Sequence, residues 1–396
     1  MKNASSHVPE KQLPLGSDDV VDVLCEALPI MNSLLGDSDR LLSVTTTISS
    51  QLIAPAIRSK VFPRNVPLKL LLLLQNISRV PNSAKLWKKE VQDAINDHRF
   101  FQTDSAIADP GWLPLLRQVT NNDKTLMNEI LSRLAPPTSA GLMFGVGASA
   151  ARLDADKKTQ LNLRRVATIV VAGEEDAFAD MTENFRTKLE ELFMTTRVSS
   201  PSSVTRADVF MLVRALVLRT TSARLAPIWP SVGDDLRHMF GSIMKADDSG
   251  LHNGFSLLQA AKLLDLLLVL QPDEFQLHEW VFVTDTIDAI YPPDGWNSRA
   301  LIDEVAQNMK QPSHSMVLNT PGAHETPFSI RLPWLCNDAT RNATQDEILD
   351  KLLRPFFGQL SIHAFESIYR LGDVDRKACV DDLMADLFNE ETMASS

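Results

Sequence analysis

The stretch LRRVATIVVAGEEDAFADMTENFRTKLEELF, residues 163–193, opens a block of apolar stripes that continues to Met244. Apolar residues recur in it at steps of three and four, which is the period of one face of an α-helix. Short breaks separate the stripes, and the block contains no catalytic signature. The pattern therefore predicts helices stacked on helices, an arrangement more typical of binding proteins than of enzymes. The stripe positions are Leu163, Val166, Ile169 and Val170, then Phe178, Met181, Phe185, Leu189, Leu192 and Phe193, then Val209, Phe210, Val213, Leu216 and Val217, and last Leu236, Met239, Phe240, Ile243 and Met244.

The composition of the 396 residues also favours helices. Only 15 residues are Gly and 2 are Tyr, whereas strand-rich proteins use Gly in turns and aromatic pairs across strands. The formal net charge of -11 argues against a general nucleic-acid binder, which needs a basic surface. The three cysteines lie far apart and form no CxxC pair, so a reducing compartment such as the cytosol is expected.

The predicted fold class is all-α, an irregular armadillo/HEAT-like stack of helices, or α-solenoid. Ordering a helix of about twelve residues costs roughly 12–24 kcal/mol, more than the roughly 6–12 kcal/mol that burial of its apolar side chains returns. Each helical hairpin therefore needs neighbours, which is the principle of a solenoid. The sequence shows no strict repeat period, and an ordinary irregular helical bundle is the alternative.

Changes in composition predict the organisation of the chain. One internal stretch is rich in Pro, Gly, Ser and Ala, which indicates a linker-like loop, and another has repeated prolines and weak periodicity. The predicted divisions are a disordered N-terminus (1–18), a helical domain (19–390) that includes the linker-like loop (136–151), a loop-rich segment (272–343) and the C-terminal helices (344–390), and a tail (391–396).

Two leucine-rich runs, Leu70–Leu74 and Phe255–Leu270, could be mistaken for membrane spans. Polar residues flank the first run and interrupt the second. A span needs about 20 apolar residues, so both runs are predicted to be core helices. The N-terminus lacks the apolar core of a signal peptide.

The catalytic motifs that the sequence suggests are all incomplete. Two His-Glu dipeptides match half of the helical zinc motif, but Phe stands where that motif needs a second His. The stretch GLMFGVG, residues 141–147, lacks the Lys-Ser or Lys-Thr of a phosphate-binding loop. The sequence therefore predicts no catalytic residue, no metal and no cofactor, and a hydrolase with dispersed Asp and His residues is the enzymatic alternative. The dipeptides are His278-Glu279 and His324-Glu325, and the phenylalanines are Phe282 and Phe328.

Lys157, Lys158, Arg164 and Arg165, with Leu161 between them, recur at positions that share one face of a helix. They form a candidate membrane-binding stripe in an otherwise acidic protein. Near an anionic membrane each residue contributes about 1 kcal/mol, so the four together give at most roughly 4 kcal/mol, which is millimolar affinity. The stripe would only assist another membrane anchor, and an ordinary solvated helix face is the alternative.

Five segments of the sequence occur in a fixed order and resemble the C-terminal region of the Dopey family of large eukaryotic trafficking proteins. The resemblance lies in spacing and hydrophobic texture rather than in a short catalytic motif. The long N-terminal helical domain of that family has no counterpart here, so the chain is expected to be an excised C-terminal domain or a truncated product. The segments are FFQTD (100–104), NDKTLMNEILSRL (122–134), LRRVATIVVAGEEDAF (163–178), FMLVRALVLRTTSARLAPIWPSVGDDL (210–236) and LLQAAKLLDLLLVLQPDEFQLHEWVFV (257–283). Between the first two segments, Trp112 with Leu113, Leu115 and Leu116 belongs to the same resemblance.

The resemblance implies a non-enzymatic scaffold or adaptor in vesicular protein traffic between the Golgi apparatus and endosomes. It also implies a peripheral membrane protein on the cytosolic face of these membranes, without a transmembrane segment. The implied partners are a large scaffold related to Arf exchange factors, an aminophospholipid flippase and an anionic phosphoinositide membrane surface, and no nucleic acid. For the lipid surface, the basic stripe is the candidate site. An oligomerisation module without lipid binding is the alternative.

Overall fold

A computed structural model of the chain describes residues 17–34, 38–121, 124–137, 148–199, 204–244, 253–309, 329–336, 340, 344 and 347–393. The chain divides into two compact units. The first comprises Met1–Phe100 and Pro110–Leu115, and the second comprises Phe101–Asp109 and Leu116–Ser396. The helical domain predicted over 19–390 has no division at these points.

The regular elements of the described residues are α-helices, and the prediction of an all-α helical stack is confirmed. The described part of the chain has one isolated β-bridge, between Arg331 and Val374, and no β-strand. The helices are α1 (Ser17–Leu34), α2 (Ser38–Ile48), α3 (Ala54–Ile57), α4 (Leu68–Ser78), α5 (Ala84–Asn96), α6 (Ser105–Ile107), α7 (Leu113–Thr120), α8 (Thr125–Arg133), α9 (Ala148–Ala172), α10 (Thr182–Ser199), α11 (Thr205–Arg219), α12 (Ser222–Leu225), α13 (Trp229–Met244), α14 (Gly254–Leu270), α15 (Asp273–Glu279), α16 (Leu301–Asn308), α17 (Arg354–Ser367) and α18 (Arg376–Leu387).

In the first unit, α4 packs against α1 and α5. Its leucine run is buried except for Leu72, which confirms that this run is a core helix. A Cβ atom on Gly111 would overlap the side chain of Leu71, so only glycine allows this close approach. Next to it, the Trp112 ring packs edge-on against Phe100, with 5.3 Å between the ring centroids.

In the second unit, α11 and α14 pack against each other, and residues 205–218 and 256–269 are buried along their whole length. A helix that is apolar on all sides is stable only in the interior, and α14 has this composition. The side chain of Asn253 caps α14, because its Oδ1 accepts a hydrogen bond from Phe255 N at 2.9 Å. The helix ends at Gln271, which adopts the left-handed conformation with a φ of 49°.

None of the described helices is by itself both long enough and apolar enough to cross a membrane. One pair, Gly254–Leu270 with Asp273–Glu279, meets the length and composition criteria jointly, but its two helices are bent by 112° at their junction. The first of these helices is the buried α14, as the sequence predicted.

Part of the predicted organisation lies outside the described residues. This holds for residues 1–16 of the N-terminus, for 138–147 of the linker-like loop, with the stretch GLMFGVG, and for 394–396 of the tail. Where these regions are described, residues 17 and 18 begin α1, and residues 148–151 begin α9. The loop-rich segment contains α15 and α16, and its residues 310–328 lie outside the described chain.

Candidate docking surface

A surface loop of the second unit is closed at its base by a cluster of hydroxyl groups around one carboxylate. Asp303, on α16, accepts hydrogen bonds from Thr284 at 2.6 Å, from Ser298 at 2.5 Å and from Ser361 of α17 at 2.7 Å. The Thr284 and Ser298 hydroxyls are also 3.0 Å apart. Residues 285–297 therefore form a compact loop whose two ends are held together, a type of loop that is often functional.

Large apolar side chains are exposed on this loop and on the helix α15 that precedes it. Leu277 and Trp280 are 72% and 64% exposed, and on the loop Ile287, Tyr291 and Trp296 are 51%, 73% and 37% exposed. Single exposed apolar residues are ordinary, but a concentration of them marks an interaction site. We call residues 277–296 the aromatic segment, because two of the six tryptophans and one of the two tyrosines of the chain lie in it.

A groove with mostly apolar walls lies between α13 and α15, with a volume of about 220 Å³. Its wall on the α15 side includes Phe275 and Phe282, whose rings stack with their centroids 6.1 Å apart. Its α13 side includes Trp229, whose ring centroid is 6.4 Å from that of Phe275. The indole N–H of Trp229 is buried and has no acceptor among the described residues.

The aromatic segment also contains a buried carboxyl group, that of Glu279. Burial, together with the smaller effect of the nearby negative charge of Asp285, raises its pKa to about 7. The carboxyl therefore titrates near neutral pH, beside the exposed Trp280.

The structure does not bring the four residues of the predicted basic stripe to one exposed face. Lys158 is exposed and Lys157 is half-buried, but Arg164 and Arg165 are buried. The two arginines of α9 lie in the interior, where Arg164 contacts α11 and the end of α18, whereas Lys158 is on the surface. Membrane binding by the basic stripe stays a prediction.

Arg164 has its charge neutralised inside the second unit. Its Nε donates to Asp208 Oδ1 at 2.7 Å, and its Nη1 donates to the backbone oxygen of Leu387 at 2.8 Å. Both side chains of the ion pair are fully buried. Arg164 thus ties α9 to α11 and to the end of α18, which is a structural role.

A second buried cluster joins α11, α14 and α18. Arg214 donates to Asp382 at 2.7 Å and to Asp386 at 2.6 Å, and Lys262 lies 3.0 Å and 2.8 Å from the same two carboxylates. Burial would raise the pKa of Asp386, but the positive charges of Lys262 and Arg214 outweigh burial and hold it below its ordinary value. Two cations and two anions therefore balance each other in the interior.

The described residues offer little to a catalytic mechanism. Among them, no group of three or more His, Cys, Asp or Glu side chains could hold a metal ion. Burial raises the pKa of the Cys379 thiol to about 12, so it is not a thiolate nucleophile near neutral pH. Burial lowers the pKa of His363 to about 4, which keeps this imidazole neutral.

Comparison with known proteins gives the family. The chain matches the family model described as DOP1 C-terminal over residues 2–370. It belongs to the DOP1 C-terminal family. The expected relation to the C-terminal region of the Dopey proteins is thereby confirmed.

Relatives within this family are much longer than the chain. It is 48% identical to Protein dop1 of Emericella nidulans over 381 residues, which are 96% of the chain and 20% of that protein. It is 24% identical to Protein DOP1 of Saccharomyces cerevisiae, over 91% of the chain and 20% of that protein, and 25% identical to Protein pad-1 of Caenorhabditis elegans, over 54% and 9%. The chain therefore spans about a fifth of the length of the two fungal relatives. No solved structure matches it.

Sequence reasoning missed both the buried ion pairs and the aromatic segment of this DOP1 C-terminal domain. One signal for the ion pairs was available, because Asp208 and Arg214 stand in α11 among apolar residues on every side. A helix of that kind has no solvated face for its charges, so they need partners within the protein.

Proposed function

We propose that the chain is a non-enzymatic docking domain that binds a protein partner through the aromatic segment. The observation that carries this proposal is the exposure of Trp280 and Tyr291, at 64% and 73%. Trp and Tyr are the residues that most often dominate the energetics of protein–protein interfaces. A surface that exposes both has more apolar area than a monomer needs.

The closed base of the loop supports the same proposal. A partner that binds a flexible loop must order it, and each immobilised side chain costs about 0.5–1.5 kcal/mol. Asp303 holds both ends of the loop before any partner arrives, through Thr284 and Ser298. Binding residues on loops that a rigid scaffold positions are common in proteins.

The cellular role that we propose follows the family. The whole protein would be a scaffold or adaptor in vesicular traffic between the Golgi apparatus and endosomes, on the cytosolic face of their membranes. The partners proposed for it are a large scaffold related to Arf exchange factors and an aminophospholipid flippase. The family match and the lack of a metal-binding cluster among the described residues support a role without catalysis. Direct phosphoinositide binding loses its structural basis in Arg164 and Arg165, because both are buried.

The test uses the full-length protein with a paired substitution, Trp280→Ser with Tyr291→Ser. We expect this variant to fold normally but to lose its place on Golgi and endosomal membranes, together with the co-purification of the two proposed partners. Tyr369→Ser with Leu371→Ser is the matched control, since these side chains are 66% and 70% exposed outside the aromatic segment. Unchanged location and co-purification in the first variant would refute the proposal.

An oligomerisation module remains the alternative function. It predicts a dimer whose mass by light scattering does not change with concentration. Loss of that dimer in the Trp280→Ser, Tyr291→Ser variant would show that the partner is a second copy of the chain.

A further inference from the structure

We propose that the partner segment bound by the aromatic segment is a basic amphipathic α-helix. This inference rests on the proposed docking function and adds the chemistry of the partner. Its first basis is charge. Residues 273–297 contain six acidic residues and no Lys or Arg. A stretch that exposes apolar side chains and whose Asp and Glu residues are accompanied by no Lys or Arg is complementary to a segment that combines apolar and basic residues.

Four carboxylates of this stretch are accessible to solvent. Asp273 and Asp294 are exposed, and Asp285 and Asp288 are half-buried. They lie before and after the exposed Trp280 in the chain. Basic side chains of a partner would gain little from any one of these groups, but several carboxylates together raise the association rate of a basic segment.

The groove between α13 and α15 supplies the apolar half of the site. Its volume of about 220 Å³ accommodates a few large aliphatic side chains between Trp229 and Phe282. Leu277 is exposed on α15 at 72%, next in sequence to His278, which lines the groove.

The surroundings favour a helix as the bound conformation. Addition of a strand needs an unpaired sheet edge, and the described residues contain no β-strand. Recognition must therefore come from side chains, and an amphipathic helix presents apolar side chains at steps of three and four along one face. The groove carries one arginine, Arg237 on α13, so the basic face of the partner belongs on the α15 side.

The same charges argue against an anionic membrane as the occupant. Exposed Trp and Tyr suit a membrane interface, but an anionic headgroup layer repels a stretch such as 273–297, in which the six acidic residues are accompanied by no Lys or Arg. The basic residue nearest in sequence, Arg299, lies after the loop has closed at Ser298. A peptide ligand fits these observations and an anionic lipid surface does not.

The test measures binding of labelled model peptides of about 18 residues to the full 396-residue chain by fluorescence anisotropy. One peptide has a leucine face and a lysine face, the second replaces every lysine with glutamate, and the third is a scrambled lysine–leucine sequence without a single apolar face. We expect the amphipathic lysine peptide to bind at least roughly tenfold more tightly than the other two. We also expect Trp280→Ser to weaken its binding by roughly tenfold or more.

A charge variant separates this site from the general negative charge of the chain. Asp285→Asn, Asp288→Asn and Asp294→Asn together should weaken binding about fivefold at low salt and reduce its dependence on salt. The matched control neutralises three exposed carboxylates elsewhere, through Asp39→Asn, Glu183→Gln and Asp350→Asn, and should leave binding nearly unchanged.

The outcomes distinguish this inference from the proposed function. If the glutamate peptide binds equally well and Trp280→Ser weakens both peptides, the docking function stands and the basic partner is wrong. If the two charge variants weaken binding equally, the affinity of the peptide depends only on the net charge of the chain, and the inference is overturned. If no peptide binds, or if phosphatidylserine vesicles bind in its place in a Trp280-dependent manner, the inference is also overturned. The docking function itself is decided by the substitutions in the full-length protein.

Discussion

The interior of the second unit and its aromatic segment distribute polarity in opposite ways. Between α11, α14 and α18, four charged side chains are buried, and Arg214 and Lys262 each contact both Asp382 and Asp386. On the aromatic segment, by contrast, Trp280 and Tyr291 are largely exposed. Charges can be buried when their partners are buried with them, and apolar groups remain exposed when their partner is another molecule. The buried ion pairs therefore stabilise the fold, whereas the exposed aromatic side chains are available to a partner.

The largest effect expected from this comparison concerns a single buried cation. Arg214→Met removes a buried cation that contacts the carboxylates of both Asp382 and Asp386. We expect the free energy of unfolding to fall by about 3–5 kcal/mol, measured by urea denaturation followed by circular dichroism. Arg186→Met on α10 is the control, because the ion pairs of Arg186 are solvent-exposed and their loss should cost much less stability. Equal losses in both variants would show that the interior cluster is not essential to the fold.

The next effect compares two tryptophans of the same unit. Trp334 is 5% exposed, and its ring centroid lies 6.0 Å from that of Phe356. Trp334→Ala should lower the free energy of unfolding by about 3–5 kcal/mol, since it opens a cavity. Trp280→Ala should change it by less than about 0.5 kcal/mol. A large loss of stability in Trp280→Ala would mean that this side chain serves the fold rather than a partner.

The fold was largely predictable, because the helical period and composition of the chain decide it. The leucine-rich α4 and α14 were both predicted as core helices from their apolar composition. The candidate site was not predictable to the same extent. Spacing shows which residues share a helix face, as with Lys157 and Arg164, but not which face meets the rest of the protein. Neither could it show that Trp280 is exposed, because apolar residues around it are typical of a core.

A smaller effect concerns the pH dependence of stability that comes from Glu279 in the aromatic segment. The pKa of Glu279 is about 7 in the folded protein, against an ordinary value of 4.5. The unfolded chain therefore loses its proton at lower pH, and the folded state loses stability as pH rises from 4.5 to about 7. The side chain introduced by Glu279→Gln cannot ionise, so this variant does not lose that stability as the pH rises. Its stability relative to the original chain should increase by about 1–3 kcal/mol from about pH 5 to about pH 8, measured by urea denaturation. A pH-independent difference would contradict the burial of this carboxyl.

The smallest expected effect concerns the base of the loop. Ser298→Ala removes one of the donors to Asp303, which should cost about 1 kcal/mol. Because this hydrogen bond helps to hold the loop ends together, its loss should make amide hydrogen exchange in residues 285–297 about fivefold faster. Thr286→Ala, within the loop but outside its base, should leave the exchange rates unchanged. If the two variants exchange equally, the loop is held by other contacts.

The docking role of the aromatic segment is tested most directly by hydroxyl-radical footprinting of the full-length protein, alone and in complex with the partners that co-purify with it. Oxidation of Trp280 and Tyr291 should fall at least severalfold in the complex, while Tyr369, which is 66% exposed outside the segment, should be oxidised equally in both states. Equal oxidation of Trp280 and Tyr291 with and without partners would contradict the account.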